Sequence, residues 1–335
     1  MLKVIADKPK LVIPPSKGVE TLEDIVQVVK LWSVASEKSR NDETNKLREQ
    51  NITDFINRPR NINLQTTIRE NRENTDVKKY IILAEQFRAA IRMIHPEFNT
   101  IEHTITGIGG RQTKDFVIKS KSDGQIVNNI KPIEFKFNAT KLSEVPQLYQ
   151  VAAKDLLVGD DITHGFAAKF FDALIPKIRE LGYQPPGIDK TTYLNNVYQP
   201  NEKKHPFFIW LKNEVRTNTT FKEEVETLNH SVCTAYLSGV DQIINKPELC
   251  ARTLACLSKN YILWDIKEFK TNIIIASSTG QQTINGAITP ISNPKTNITL
   301  SAEYTIQGIP QKFELRLCWK NGNGILFPAW KIKMK

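Results

Sequence analysis

The stretch Lys114–Phe137, KDFVIKSKSDGQIVNNIKPIEFKF, decides how the rest of the chain is read. Asp123-Gly124 between two strand-like runs is a strong signal for a two-residue hairpin loop. With those two residues as the loop, Ser122 faces Gln125, and Asp115 falls opposite Pro132 and diagonal to Glu134. Side chains along a strand alternate between faces, so Glu134 and Lys136 share one face, and this register adds Asp115 to it. The diagonal separation is roughly 7–8 Å between backbones. The other face carries Phe116, Ile118, Ile133, Phe135 and Phe137, an apolar surface suited to a core. A slip by one residue would part Asp115 from the other two charges and spoil the apolar match. Pro132, within VNNIKP, marks a point where the ladder is expected to break or bulge.

Charges inside a strand pair are costly unless something pairs with them. Two carboxylates converging with a lysine suit a phosphodiester site. Carboxylate oxygens hold Mg²⁺, which keeps waters and accepts phosphate oxygens as further ligands. The ion stabilises charge on the phosphate and helps generate hydroxide, while Lys136 orients or deprotonates the water or steadies the phosphorane. The plain alternative is a solvent-facing strand bearing a Glu-Lys pair.

Around this hairpin the chain reads as helices, a mixed αβ core, more helices and a β-rich end, which argues for α/β or α+β and against a bundle, solenoid or sandwich. ETLEDIVQVVKLWSVASEK is an amphipathic helix with Ile25, Val28, Val29, Trp32 and Val34 as its stripe, and Thr21 with Asp24 as its cap. A polar helix follows, then a Pro/Asn-rich connector from Arg58 to about Asn74, then a strong helix from Asp76 to His95. SEVPQLYQVAAKDLL and the segment 160–182 read as helix, 185–206 as loop, 207–258 as helical, and the tail from Asn272 as strands. Three regions are expected: 1–75 helical, 76–185 a catalytic core, and 186–335 helical then β-rich, used for recognition and packing on the core.

At 335 residues the chain has room for two domains. It carries 46 Lys and Arg against 36 Asp and Glu, a net charge of +10 that suits a polyanion. No apolar run approaches a membrane span and the amino terminus has no signal-peptide order, so an intracellular, cytoplasmic protein is expected. Cys233, Cys250, Cys256 and Cys318 form no CxxC pair and read as free thiols, and the five histidines show no ligand spacing. GIGGRQ, Gly107–Gln112, lacks the third glycine and following helix of a dinucleotide fingerprint, and reads either as a tight loop whose Arg111 contacts a phosphate or as a plain turn. A second D-x-K, Asp265 and Lys267, has no acid-bearing partner strand and reads as structural. Arg316, Lys320, Asn321 and Asn323, in the late sheet and its turn, suit base-edge or phosphate contacts, while KNGNG also reads simply as a good turn.

KDFVI…PIEFKF resembles the PD-(D/E)xK nuclease superfamily, and within it the type II restriction endonucleases. Lys114 stands where that family often has proline. The resemblance covers about 25 residues, or about 50 with flanks. It implies a restriction-endonuclease-like mixed sheet flanked by helices, with Asp115, Glu134 and Lys136 catalytic. Mg²⁺ would be held by Asp115, Glu134 and the main-chain carbonyl of Phe135. It also implies a metal role for Glu85 on the preceding helix and polar roles for Gln147 and Gln150. LRLCWKNGNGILFPAWKIK is similar to the ends of some restriction enzymes. The function implied is Mg²⁺-dependent, sequence-specific cleavage of double-stranded DNA by a homodimer. A companion methyltransferase would act on the same site rather than bind the protein. The rivals are a repair, junction-resolving or RNA-cleaving nuclease of the same superfamily, and a catalytically silent DNA-binding protein.

Overall fold

A computed structural model of the chain describes residues 18–35, 41–57, 61–96, 103–107, 116–122, 125–127, 133–160, 162–199, 204–239, 244–275, 286–291, 299–306, 309–320, 322–325 and 327–335. These residues form a mixed α/β structure with nine helices and two open sheets. No helix among them is long and apolar enough to cross a membrane. The chain divides into two compact units, 1–141 with 258–278, and 142–257 with 279–335. This division differs from the three consecutive regions expected from sequence. A strand near residue 260 returns to pair inside the first unit, so that unit is discontinuous in sequence.

The first unit opens with α1 (Leu22–Ser33), whose start is fixed by the expected capping box between Thr21 and Asp24. Its buried stripe is Ile25, Val28, Val29, Leu31 and Trp32. Val34 departs from expectation: it is the C-cap and lies exposed, because the helix ends before the stripe returns to it. In α2 (Asn41–Asn57) a largely polar sequence still buries a face. Arg48 is fully buried, donates to the carbonyls of Leu31 and Val34, and lies 3.2 Å over the Phe137 ring centroid. Burial pulls its pKa down to about 9, so it remains a cation at neutral pH and closes the carbonyl end of α1. Asn51 accepts from the Trp32 indole at 3.2 Å. The connector expected from Arg58 contains α3 (Ile62–Glu70), capped by Asn61 and anchored by buried Leu64. Next comes α4 (Thr75–Ile94), which buries Val77, Tyr80, Leu83, Ala84, Phe87, Ala90, Ile91 and Ile94.

The sheet of this unit contains β1 (His103–Gly107), β2 (Phe116–Ser122), β3 (Gln125–Val127), β4 (Ile133–Phe137), β6 (Asn260–Asp265) and β7 (Lys270–Ile274), in the order β1-β2-β4-β6-β7 with β3 on β2. β6 had no assignment from sequence, and it pairs parallel to β4, from Ile133↔Asn260 to Phe137↔Trp264. All six of its residues are buried, as expected for a strand covered on both faces. Trp32 from α1 meets Phe55, Phe87, Phe135, Phe137 and Trp264 at ring-centroid distances of 4.9 to 6.3 Å.

The second unit holds β5 (Tyr149–Ala152), α5 (Phe166–Glu180), α6 (Lys190–Val197), α7 (Pro206–Thr217), α8 (Thr219–Ser238), α9 (Lys246–Leu257), β8 (Gly286–Ile291), β9 (Thr299–Ile306), β10 (Ile309–Trp319) and β11 (Pro328–Met334). Its antiparallel sheet runs β5-β11-β10-β9-β8. Two expectations are corrected. SEVPQLYQVAAKDLL is not a helix: Pro146 interrupts it, and Tyr149–Ala152 pair with β11 as an edge strand. The expected loop 185–206 contains α6, capped by Asp189 and packed through buried Tyr193, Leu194 and Val197. In the turn after β10, Gly324 has φ +74°, and a Cβ there would meet Phe170 at 2.7 Å, so glycine is needed for close approach.

Trp32→Ala should lower unfolding free energy by about 3–5 kcal/mol, the cost of emptying a large buried aromatic site. Urea denaturation followed by fluorescence and circular dichroism measures it. A loss below about 1 kcal/mol would contradict the central place given to this ring.

Candidate active site

β2 and β3 pair through Ser122↔Gln125, Lys121↔Ile126 and Ser120↔Val127, as the two-residue hairpin requires. The ladder then changes. Phe116 pairs with Ile133, where a constant register would have given Lys131. From Val127 to Ile133 the return segment therefore spans two more residues than the facing stretch from Ser120 to Phe116. Two is even, so the alternation of faces is preserved. Asp115 lies outside the described residues, as do Pro132, Arg111 and Asn321. In sequence Asp115 immediately precedes Phe116, and Glu134 immediately follows Phe116's partner.

On β4 the expected division of faces holds. Ile133 and Phe135 are buried in the core of the first unit, and Phe137 packs against it. Glu134 and Lys136 take the other face, joined by an ion pair of 2.8 Å from Lys136 Nζ to Glu134 Oε1. The second carboxylate oxygen is also engaged. Lys259, the residue before β6, places Nζ 3.4 Å from Glu134 Oε2. The side chains of Glu134 and Lys259 are only 13% and 9% exposed. One carboxylate thus sits between two ammonium groups, a local charge of +1 at the three named side chains.

Lys136 and Lys259 place an ammonium group on each oxygen of one poorly solvated carboxylate. Hard oxygen donors are present in Glu134, but the described residues contain no group of three or more His, Cys, Asp or Glu able to enclose a metal. The oxygen character of Glu134 fits Mg²⁺, and Asp115 is the second acid proposed from sequence.

Lys259 was missed by sequence reasoning, because a lone lysine after a helix carries no local signal. It becomes visible only when YILW is recognised as a short apolar run able to serve as a buried parallel strand.

The other expected residues are distributed as follows. Glu85 is exposed on α4. Phe87 of the same helix meets Phe135 at 6.0 Å, so α4 covers the face opposite Glu134 and does not bring Glu85 to the Glu134–Lys136 pair. The Phe135 main chain runs in the ladder opposite Ile262. Gln147, Gln150, Lys320 and Asn323 belong to the second unit. Lys320 is exposed, with its ammonium 5.1 Å from the Phe327 ring centroid. Asp265 is a turn cap that accepts from the main-chain nitrogens of Lys267 and Glu268, in keeping with its structural reading. None of the four cysteines is in a disulfide, and burial pushes the Cys233 thiol up to about 12, away from the reactive thiolate.

The chain matches no family model, no curated protein and no solved structure.

Glu134→Ala should cost about 1–3 kcal/mol, since it strips the nearly buried Lys259 of its carboxylate. Adding Lys259→Met should recover much of that loss. Phe135→Ala should instead cost about 3–5 kcal/mol with no such recovery. Denaturation of the single and double variants gives the coupling; a value near zero would separate Lys259 from this site.

Proposed function

We propose that this protein is a Mg²⁺-dependent endonuclease that hydrolyses phosphodiester bonds of double-stranded DNA at a short specific sequence, as type II restriction enzymes do. The observation that carries the reading is the Glu134–Lys136 ion pair on the face of β4 turned away from the core. Asp115 stands one residue before the start of the neighbouring antiparallel strand. Two further features support it: Lys259 as a second ammonium group on Glu134, and the chain's net charge of +10.

In this reading Asp115, Glu134 and the Phe135 carbonyl hold the metal, which supplies phosphate charge neutralisation and an acidified water. Lys136 leaves its pairing with Glu134 to orient the attacking water by donating to it. Lys259 keeps a positive charge beside Glu134, lowering the cost of a carboxylate held in a poorly solvated place. It also favours the approach of a phosphate oxygen. Action as a homodimer, with one site per strand of the duplex, follows from the same reading. A companion methyltransferase would protect the sequence. Intracellular placement follows from a DNA substrate.

Plasmid digestion tests the proposal. Discrete fragments with Mg²⁺, none in excess EDTA, and DNA binding without turnover in Ca²⁺ are expected. Asp115→Ala, Glu134→Ala and Lys136→Ala should each nearly abolish cutting. A smear would favour a nonspecific, repair-type or RNA-directed nuclease of the same superfamily. DNA binding with no cutting under any metal would leave the silent DNA-binding alternative.

A further inference from the structure

The second unit carries a charged face whose composition the candidate active site does not explain. In β10 exposure alternates cleanly: Phe313, Leu315, Leu317 and Trp319 are buried, while Arg316 is exposed and Glu314 and Cys318 are half-buried. Trp319 meets Phe166 and Phe170 of α5 at 5.6 and 5.0 Å, so that helix covers the apolar face. On the other face, strand register sets charged and polar residues in rows. Arg316 pairs with Lys331 of β11, which pairs with Gln150 of β5, and Arg316 pairs on its other side with Thr299 of β9. The next row on the same face is Lys333, Glu314 and Ser301.

The charges on this face are unequal in their commitments. Glu314 is taken by Lys335, and Glu303 by Lys312 at 2.9 Å. Arg316, Lys331 and Lys333 make no ion pair among the described residues. Three cations thus sit within one or two strand positions of each other, and both acids nearby are already neutralised. Gln150, at the end of the first row, has its Nε2 buried with no hydrogen-bond partner among the described residues. A sheet face bearing three uncommitted cations matches duplex DNA in charge. The cations take phosphates, and Arg316 offers a guanidinium fork suited to a phosphate's paired oxygens.

We propose that Arg316 and Lys331, paired across β10 and β11, with Lys333 beside them, form a docking face for double-stranded DNA. The choice of DNA as the partner rests on the endonuclease reading; the face itself rests on the register and charge pattern of β5, β11, β10 and β9.

The test is binding of the full chain to a long mixed-sequence duplex in EDTA, across a salt titration. A triple variant Arg316→Gln, Lys331→Gln, Lys333→Gln is compared with wild type. Each lost phosphate contact lowers the slope of log affinity against log salt by about 1, so a drop of roughly 2–3 is expected. The charge-retaining triple Arg316→Lys, Lys331→Arg, Lys333→Arg should keep the wild-type slope. So should Lys79→Gln, Lys267→Gln, Lys270→Gln, which removes the same charge from exposed sites of the first unit. If circular dichroism shows the neutral triple unfolded, Arg316→Gln and Lys331→Gln alone should each lose about one unit of slope.

An unchanged slope in the neutral variants, an equal drop in the control triple, preference for duplex RNA, or no duplex binding by wild type would each overturn the proposal. Plasmid digestion in Mg²⁺ keeps the two readings apart. A wild type that cuts while the neutral variants bind unchanged sinks the docking face alone. One that never cuts but shows the expected drop sinks the endonuclease alone.

Discussion

The parallel ladder between Ile133–Phe137 and Asn260–Asp265 is the constraint on which the first unit depends. β6 stacks Trp264 against Trp32 and Phe87, and its backbone gives β4 a continuous partner on one side. The Trp264 indole donates to the Trp32 carbonyl at 3.0 Å, tying strand to helix by a buried hydrogen bond as well as by packing. The same ladder fixes the chemistry on the other face. By setting Asn260 opposite Ile133, it leaves Lys259 beside Glu134, so the second lysine of the site is a product of long-range pairing. Such pairing closes a very long loop, and its entropy has to be recovered by the buried contacts it makes.

Much of this was legible in the sequence, for local reasons. The Thr21–Asp24 box, the strong helix ending at Ile94 and the Ser122↔Gln125 hairpin are short-range signals that tertiary packing did not override. The apolar face of β4 was legible too, since Ile133, Phe135 and Phe137 alternate with charges. The misses share a cause. α3 and α6 lie in Asn- and Pro-rich stretches and owe their burial to a few residues, Leu64 in one and Tyr193 in the other, whose value depends on distant partners. β5 was read as helix because VPQLYQVAA offers apolar residues at both periods, and its pairing with β11 decides between them. The register change at Ile133 and the arrival of Lys259 depend on where strands meet, which no local window contains.

The charges at β4 are not what the fold requires. Glu134 pairs with Tyr261 and Lys136 with Leu263, and paired residues on adjacent strands share a face. Tyr261 and Leu263 are fully buried, so the neighbouring positions on this face accommodate a large aromatic and an aliphatic side chain. Replacing buried ion pairs by well-packed apolar residues is often neutral or stabilising, because two desolvated charges rarely repay their hydration. A sequence under selection for stability alone would have no reason to keep Glu134 between two lysines there. The cluster is therefore not explained by what it contributes to folding. Glu134 and its two lysines are held where β4 and β6 meet, so the ladder that builds the core also fixes the charges on its other face.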